Sequence, residues 1–151
     1  MLREMAVGAV AGAMATGPQS AVVWGLRRVG IYHGKPPPEA VSERPNDAAV
    51  QAGVLPPSFR GPAMVTEHIG FGAAAGALYG LLSTAIRPTP VTGVLTGLAI
   101  WLTSYKGWIP ALHIMPPPER DERGRQAALV IAHIAYGLSL AATYRRLQPD
   151  A

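Results

Sequence analysis

The chemistry open to this chain concentrates in four histidines, and they fall into two pairs. His33 and His113 stand 80 positions apart, each close ahead of a Pro-Pro-Pro-Glu string, Pro36 to Glu39 and Pro116 to Glu119. His68 and His133 stand 65 positions apart, each eight residues past an arginine, Arg60 or Arg125. An imidazole titrates near neutral pH, relays protons and ligates metals through a ring nitrogen. Glu67 adjoins His68, whereas Ala132 holds the matching place beside His133, so the set has a carboxylate on one side only. If His68 and His133 face each other they could bind haem b as a cofactor through two axial bonds. The wider set of His33, Glu67, His68, His113 and His133 could hold a divalent metal or pass a proton. The economical alternative uses no cofactor: each buried imidazole hydrogen-bonds a carbonyl, or the hydroxyl of Thr16 or Thr96. The Pro-Pro-Pro-Glu strings read as helix starts, with proline in the first turn and glutamate at the positive helix end. No nucleophile with its base, phosphate loop or dinucleotide fingerprint is present, which points away from an enzyme.

The elements that must position these residues are apolar. Hydrophobic residues make up 49% of the 151 and charged residues 15%, against roughly 25% charged in an average soluble domain. Mean hydropathy is +0.20. There is no cysteine, so thiolate metal sites and disulfides are excluded. The net charge of +4 comes from Lys and Arg set between apolar runs, a pattern that makes the lipid bilayer the partner and excludes nucleic acid. A membrane helix needs about 20 apolar residues to cross roughly 30 Å of hydrocarbon. Four segments meet that length, residues 5–26, 62–86, 91–114 and 126–144. Residues 29–61 form a long polar, proline-rich loop with a helix-compatible stretch from Glu39 to Gln51 that Pro45 is expected to interrupt. The short link from Arg87 to Pro90 makes the second and third segments antiparallel neighbours. A signal peptide is the competing reading of the first segment, but its apolar run is longer than the usual 7–15 residues.

The two halves carry the same punctuation. At the offset of 65, Arg60, His68, Gly72 and Tyr79 fall on Arg125, His133, Gly137 and Tyr144; at the offset of 80, Thr16 and Gly17 fall on Thr96 and Gly97. The expected fold is an all-α membrane protein whose four transmembrane helices form two duplicated helical hairpins in a four-helix bundle. His68 and His133 then sit at equal depth, about 12 Å into the membrane at 1.5 Å per residue, facing the interior with polar partners. Gly8 and Gly12, Gly72, Gly76 and Gly80, and Gly93 and Gly97 recur at spacings of four, as in helices whose backbones approach closely. Pro18 is expected to kink the first helix. Trp24, Tyr32 and Trp108 read as interfacial anchors, and Lys106 as a snorkelling cation. Eight Lys and Arg flank the proline-loop face against four at the other, which favours cytoplasmic proline loops.

The pattern resembles the YagU-like family of small bacterial inner-membrane proteins of unknown function. The resemblance rests on the Gly8 to Gly17 helix, the proline loop, the second helix with His68 and Tyr79, and the third with Gly93, Gly97 and Pro110. The last helix, with His133 ahead of Arg145 and Arg146, completes it. It implies a multi-pass protein of the bacterial inner (plasma) membrane and supplies no catalytic residues. Two functions fit: an accessory or scaffold protein that packs through its glycine faces and presents its proline loops to a protein partner, or an oligomeric transporter or metal- or haem-handling protein built on the histidines. A homo-oligomer would serve either. A loop that only caps the bundle, through Val50, Val54 and Leu55, is the plain alternative to a partner surface.

Overall fold

Alanine-rich sequence, with its β-branched valines mostly set singly among alanines, gives α1 (Leu2–Arg28), and Pro18 is accommodated on its exposed face without ending the helix. α1 is followed by α2 (Pro37–Gln51), α3 (Arg60–Leu82), α4 (Pro90–Trp101) and α5 (Arg123–Leu147). The computed structural model describes residues 1–148, with no strand among them. α1 and α5, of 27 and 25 residues, are long and apolar enough to cross a membrane.

Two local expectations are corrected. α2 runs through Pro45 unbroken. Pro45 lies on the exposed face of α2 and removes a single backbone bond there, while Ser42 and Asn46 are buried and α2 packs against α3. Pro37 and Pro38 occupy the first positions of α2 and Glu39 its first turn, as the helix-start reading requires; the second string yields only the 3-10 turn Pro118–Arg120. The third segment, expected as one helix over 91–114, is instead divided. α4 opens with a capping box in which Thr89 Oγ1 accepts from the Thr92 amide at 3.2 Å and Thr92 Oγ1 accepts from the Thr89 amide at 2.8 Å. It passes at Leu102–Trp108 into a π-helical stretch, with Gly107 outside helical dihedrals (φ −101°, ψ −105°), and ends in the single turn Ile109–Ala111. Pro110 explains the change: it lacks the amide hydrogen that would bond Lys106, and its ring displaces that carbonyl.

Glycines set the helix pairs. α1 and α3 run antiparallel with Gly8 and Gly12 against Gly76 and Gly72, so close that a Cβ on Gly76 would collide with the Gly8 carbonyl oxygen. α4 and α5 repeat the device: a Cβ on Gly93 would meet the Gly137 carbonyl, and one on Gly97 the His133 carbonyl. α1 also packs along α5 around Ala11, Ala15, Tyr136 and Leu140. α3 and α4, expected to be neighbours, barely touch. Their meeting point is the linked end, where Tyr79 Oη lies 3.3 Å from Thr92 Oγ1. There Tyr79 and Tyr144 stack edge to face (5.5 Å, 88°), and Tyr144 Oη lies 2.5 Å from Ser83 Oγ. The long segments therefore pack in an open row, α4, α5, α1, α3, in which each of the two expected hairpins is a neighbouring pair.

Candidate functional site: a capped cavity holding two imidazoles

The open side of the row leaves a cavity of about 570 Å3 that all five helices help to line. Its wall is mostly apolar, with Ile100, Ile109 and Leu129 among the lining residues. The polar groups on it are few: Thr16, Gln19 and Ser20 of α1, Ser42 of α2, Glu67 and His68 of α3, Ser104 and Tyr105 of the π-helical stretch, and His133 and Tyr136 of α5, with Arg27 from the last turn of α1. Trp24 and Phe71 line it too and stay exposed on the outer surface.

His68 and His133 thus share one cavity. His133 Nδ1 lies 2.7 Å from the carbonyl oxygen of Leu129, one turn earlier on α5. A carbonyl only accepts, so Nδ1 carries the hydrogen and Nε2 of the neutral ring keeps a free lone pair at the end directed away from the helix. Among the described residues Nε2 has no hydrogen-bond partner, and neither does either nitrogen of His68. The threonines expected to serve them are engaged on their own helices. Thr16 donates to the Ala13 carbonyl at 2.7 Å and Thr96 to the Thr92 carbonyl at 2.9 Å, the usual back-bond of a helical hydroxyl.

The wider ligand set does not assemble. Among the described residues no three His, Cys, Asp or Glu side chains gather in a way that could hold a metal ion. Glu67 lines the cavity with His68 and His133, but His33 and His113 are exposed loop residues outside it. It is their backbones that are engaged: Arg125 Nη2 donates to the His33 carbonyl at 2.8 Å and Arg44 Nη2 to the His113 carbonyl at 3.4 Å.

The cap over the cavity is held by a buried polar knot that the sequence did not announce. Tyr105 donates its hydroxyl hydrogen to the Asp121 carboxylate. Asp121 faces Arg125 Nε at 3.5 Å, with both side chains largely buried. The Arg125 guanidinium sits 5.6 Å from the centroid of the Tyr32 ring, and Tyr32 in turn donates to the Lys35 carbonyl at 3.2 Å. Gly34, at φ +79°, lies so near Arg125 that a side chain there would collide with the guanidinium. Tyr32 is only 2% exposed, so it is a core residue and not the interfacial anchor expected. Burial pushes its phenol up to about 12, with the Arg125 charge pulling the other way. Trp24 (60% exposed) and Trp108 (36%) keep positions suited to anchors. Lys106 pairs at the surface with Glu119, 3.1 Å away; the backbone amide of that turn and the Lys106 ammonium hold the Glu119 carboxyl below its ordinary range. α2 is pinned to the start of α3 by Asp47 and Arg60 at 2.9 Å. The cap closes on the bundle through Pro36 to Pro38, Ala40 and Val41, whereas Val54, expected to cover it, is 78% exposed. The one sequence signal for the knot is the closeness of Asp121 and Arg125 in sequence, four positions apart across the start of α5.

Comparison with protein-family models, with curated proteins and with solved structures finds no match to this chain. Its geometry defines an all-helical protein, with two helices able to cross a membrane, built around a capped cavity.

Proposed function

We propose that this chain is a four-span protein of the bacterial inner (plasma) membrane whose cavity binds an amphipathic small molecule drawn from the bilayer. The observation that carries this reading is the cavity itself. Its volume falls within the roughly 300–1,000 Å3 of small-molecule sites, and it combines apolar walls with a few convergent polar groups.

The membrane assignment is supported by where the apolar side chains point. Val10 and Met14 on α1, Phe71 and Leu78 on α3, Val91 and Leu95 on α4, and Ile131 and Leu138 on α5 are all exposed. In water such a surface would associate; in a bilayer it is the lipid-facing side of four spans. α3 and the irregular helical run from Pro90 to Ala111 are both long enough, at about 1.5 Å per residue, to cross roughly 30 Å. Duplication is supported by the helix register. Gly93 opposes Gly137, for which the sequence offsets call for Ala13 opposite Gly72, and the residue found there is Gly12, one position away. The resemblance to YagU-like proteins agrees with this location.

On this reading the proline loops form a cap, because Arg125, Arg44 and the knot tie them down. The function is one of binding and needs no catalytic group. A photoactivatable fatty acid in nanodiscs tests it. Crosslinks should map to cavity residues such as Met64, Ile100 and Trp108, and Ile100→Trp, which puts a larger ring into the cavity, should reduce them. Labelling confined to outward residues such as Met14 and Leu95, unchanged by Ile100→Trp, would overturn the reading.

A further inference from the structure

We propose that the amphipath is haem b, held by His68 and His133 as the two axial ligands. This inference rests on the reading of the cavity as a ligand site and names the ligand by the chemistry its walls can satisfy.

The argument turns on which ring atoms are free. His133 spends its only hydrogen on Leu129, so in the neutral state Nε2 offers a lone pair and no donor. That discriminates among ligands. At His133 Nε2 a quinone carbonyl finds no N–H to accept from, whereas a metal ion or a hydroxyl finds the lone pair it seeks. The same back-bond fixes the tautomer and the ring orientation, as partners of ligating histidines commonly do.

A bare divalent metal is the poorer occupant. Such an ion in an apolar cavity needs three or four protein ligands, and among the described residues no such set gathers. A porphyrin brings four equatorial nitrogens and asks the protein for two axial bases. Two imidazoles on a shared cavity are what this protein supplies. The rest of the lining suits the macrocycle: Phe71, Ile100, Trp108 and Leu129 give apolar and aromatic faces. Propionates need a cation, and Arg27 lies on the cavity lining with no carboxylate partner among the described residues.

The test is a titration of the full-length protein in nanodiscs with ferric haem b, followed by visible absorption. Wild type should give a six-coordinate, low-spin bis-imidazole spectrum at one haem per chain. His68→Ala and His133→Ala should each lose the low-spin signature and weaken binding by more than about tenfold, the least expected when even an outer partner of a metal ligand costs 10–100-fold. Arg27→Gln should weaken binding with the low-spin spectrum intact, and His33→Ala, outside the cavity, should bind as wild type does.

A wild-type spectrum that stays high-spin or unbound overturns the proposal without recourse to any variant. So does a low-spin spectrum that survives in the His68→Ala, His133→Ala double variant, or zinc alone saturating the site and excluding haem. The photoactivatable fatty acid separates the two levels of inference. Cavity labelling with no haem coordination removes the haem assignment and leaves the cavity reading standing; neither labelling nor coordination removes both.

Discussion

Tyr136 of α5 donates its phenolic hydrogen to the carbonyl oxygen of Gly72 on α3, at 2.8 Å and fully buried. The two residues belong to different hairpins, and Gly72 also packs against Gly12 and Thr16 of α1, so the bond ties three helices at the end of the cavity. Tyr136→Phe removes the bond and keeps the ring. On the four-span proposal the bond lies in a membrane interior, where a single side-chain hydrogen bond averages about 0.6 kcal/mol and reaches about 1.7, so the variant should lose stability within that range in reversible unfolding. An unchanged midpoint would show that the bond contributes nothing to joining the hairpins.

The glycine seams separate two kinds of glycine that composition cannot tell apart. Gly76 lies against Gly8 and Gly12 backbone atoms that cannot move aside, while Gly17 has open space where its side chain would be. Gly76→Ala should therefore destabilise by about 1–3 kcal/mol through overpacking. Gly17→Ala should be neutral or stabilise by up to about 1 kcal/mol, since an exposed helical glycine gains from replacement. Thermal unfolding of the two single variants beside wild type is the measurement. Equal effects would refute close packing at the α1–α3 seam.

Periodicity made the glycine seams and the two helices of spanning length and apolarity, α1 and α5, legible in advance, because glycine spacing and apolar length are local properties of the chain. It also brought His68 and His133 to one interior, through the repeat offset. The divided third segment could have been read from Pro110, whose consequence one turn back is as local as any. What stayed hidden depends on contacts distant in sequence. Nothing near Tyr32 says that Arg125, more than ninety residues on, will cover its ring, and nothing near Tyr105 names Asp121. His33 and His113 looked like ligands by pairing alone, yet the structure engages their carbonyls and leaves their rings at the surface.

The knot predicts both a mutational and a pH effect. Arg125→Met leaves Asp121, 5% exposed, without its cation, and removing one partner of a buried pair costs about 3–5 kcal/mol. Pairing it with Asp121→Asn should recover part of that loss, since no charge is then stranded. Tyr32 carries the pH effect. Its phenol titrates near 10 unfolded and about 12 folded, so the folded state holds a proton that the unfolded state has released. That contribution is full below pH 10 and is lost as pH rises through about 12. Ultraviolet difference titration of wild type against Tyr32→Phe should show one late phenol, and Tyr32→Phe should flatten the loss of stability between pH 10 and 12. A Tyr32 that titrates near 10 would mean that the cap does not bury it.

The lack of native cysteine allows the proposed topology to be tested with single introduced thiols. Ser58, in the turn ahead of α3, and Ala85, in the link after it, are both exposed and bracket that helix. If α3 crosses the bilayer, Ser58→Cys and Ala85→Cys react with an impermeant maleimide from opposite sides. The excess of Lys and Arg around the proline loops sets the direction: Ala85→Cys should label in intact cells and Ser58→Cys only after permeabilisation. Opposite labelling with the sides exchanged would keep the four spans and place the cap outside the cell. Labelling of both from one side would show that α3 does not cross, and the four-span arrangement would fall even with α1 and α5 in the membrane.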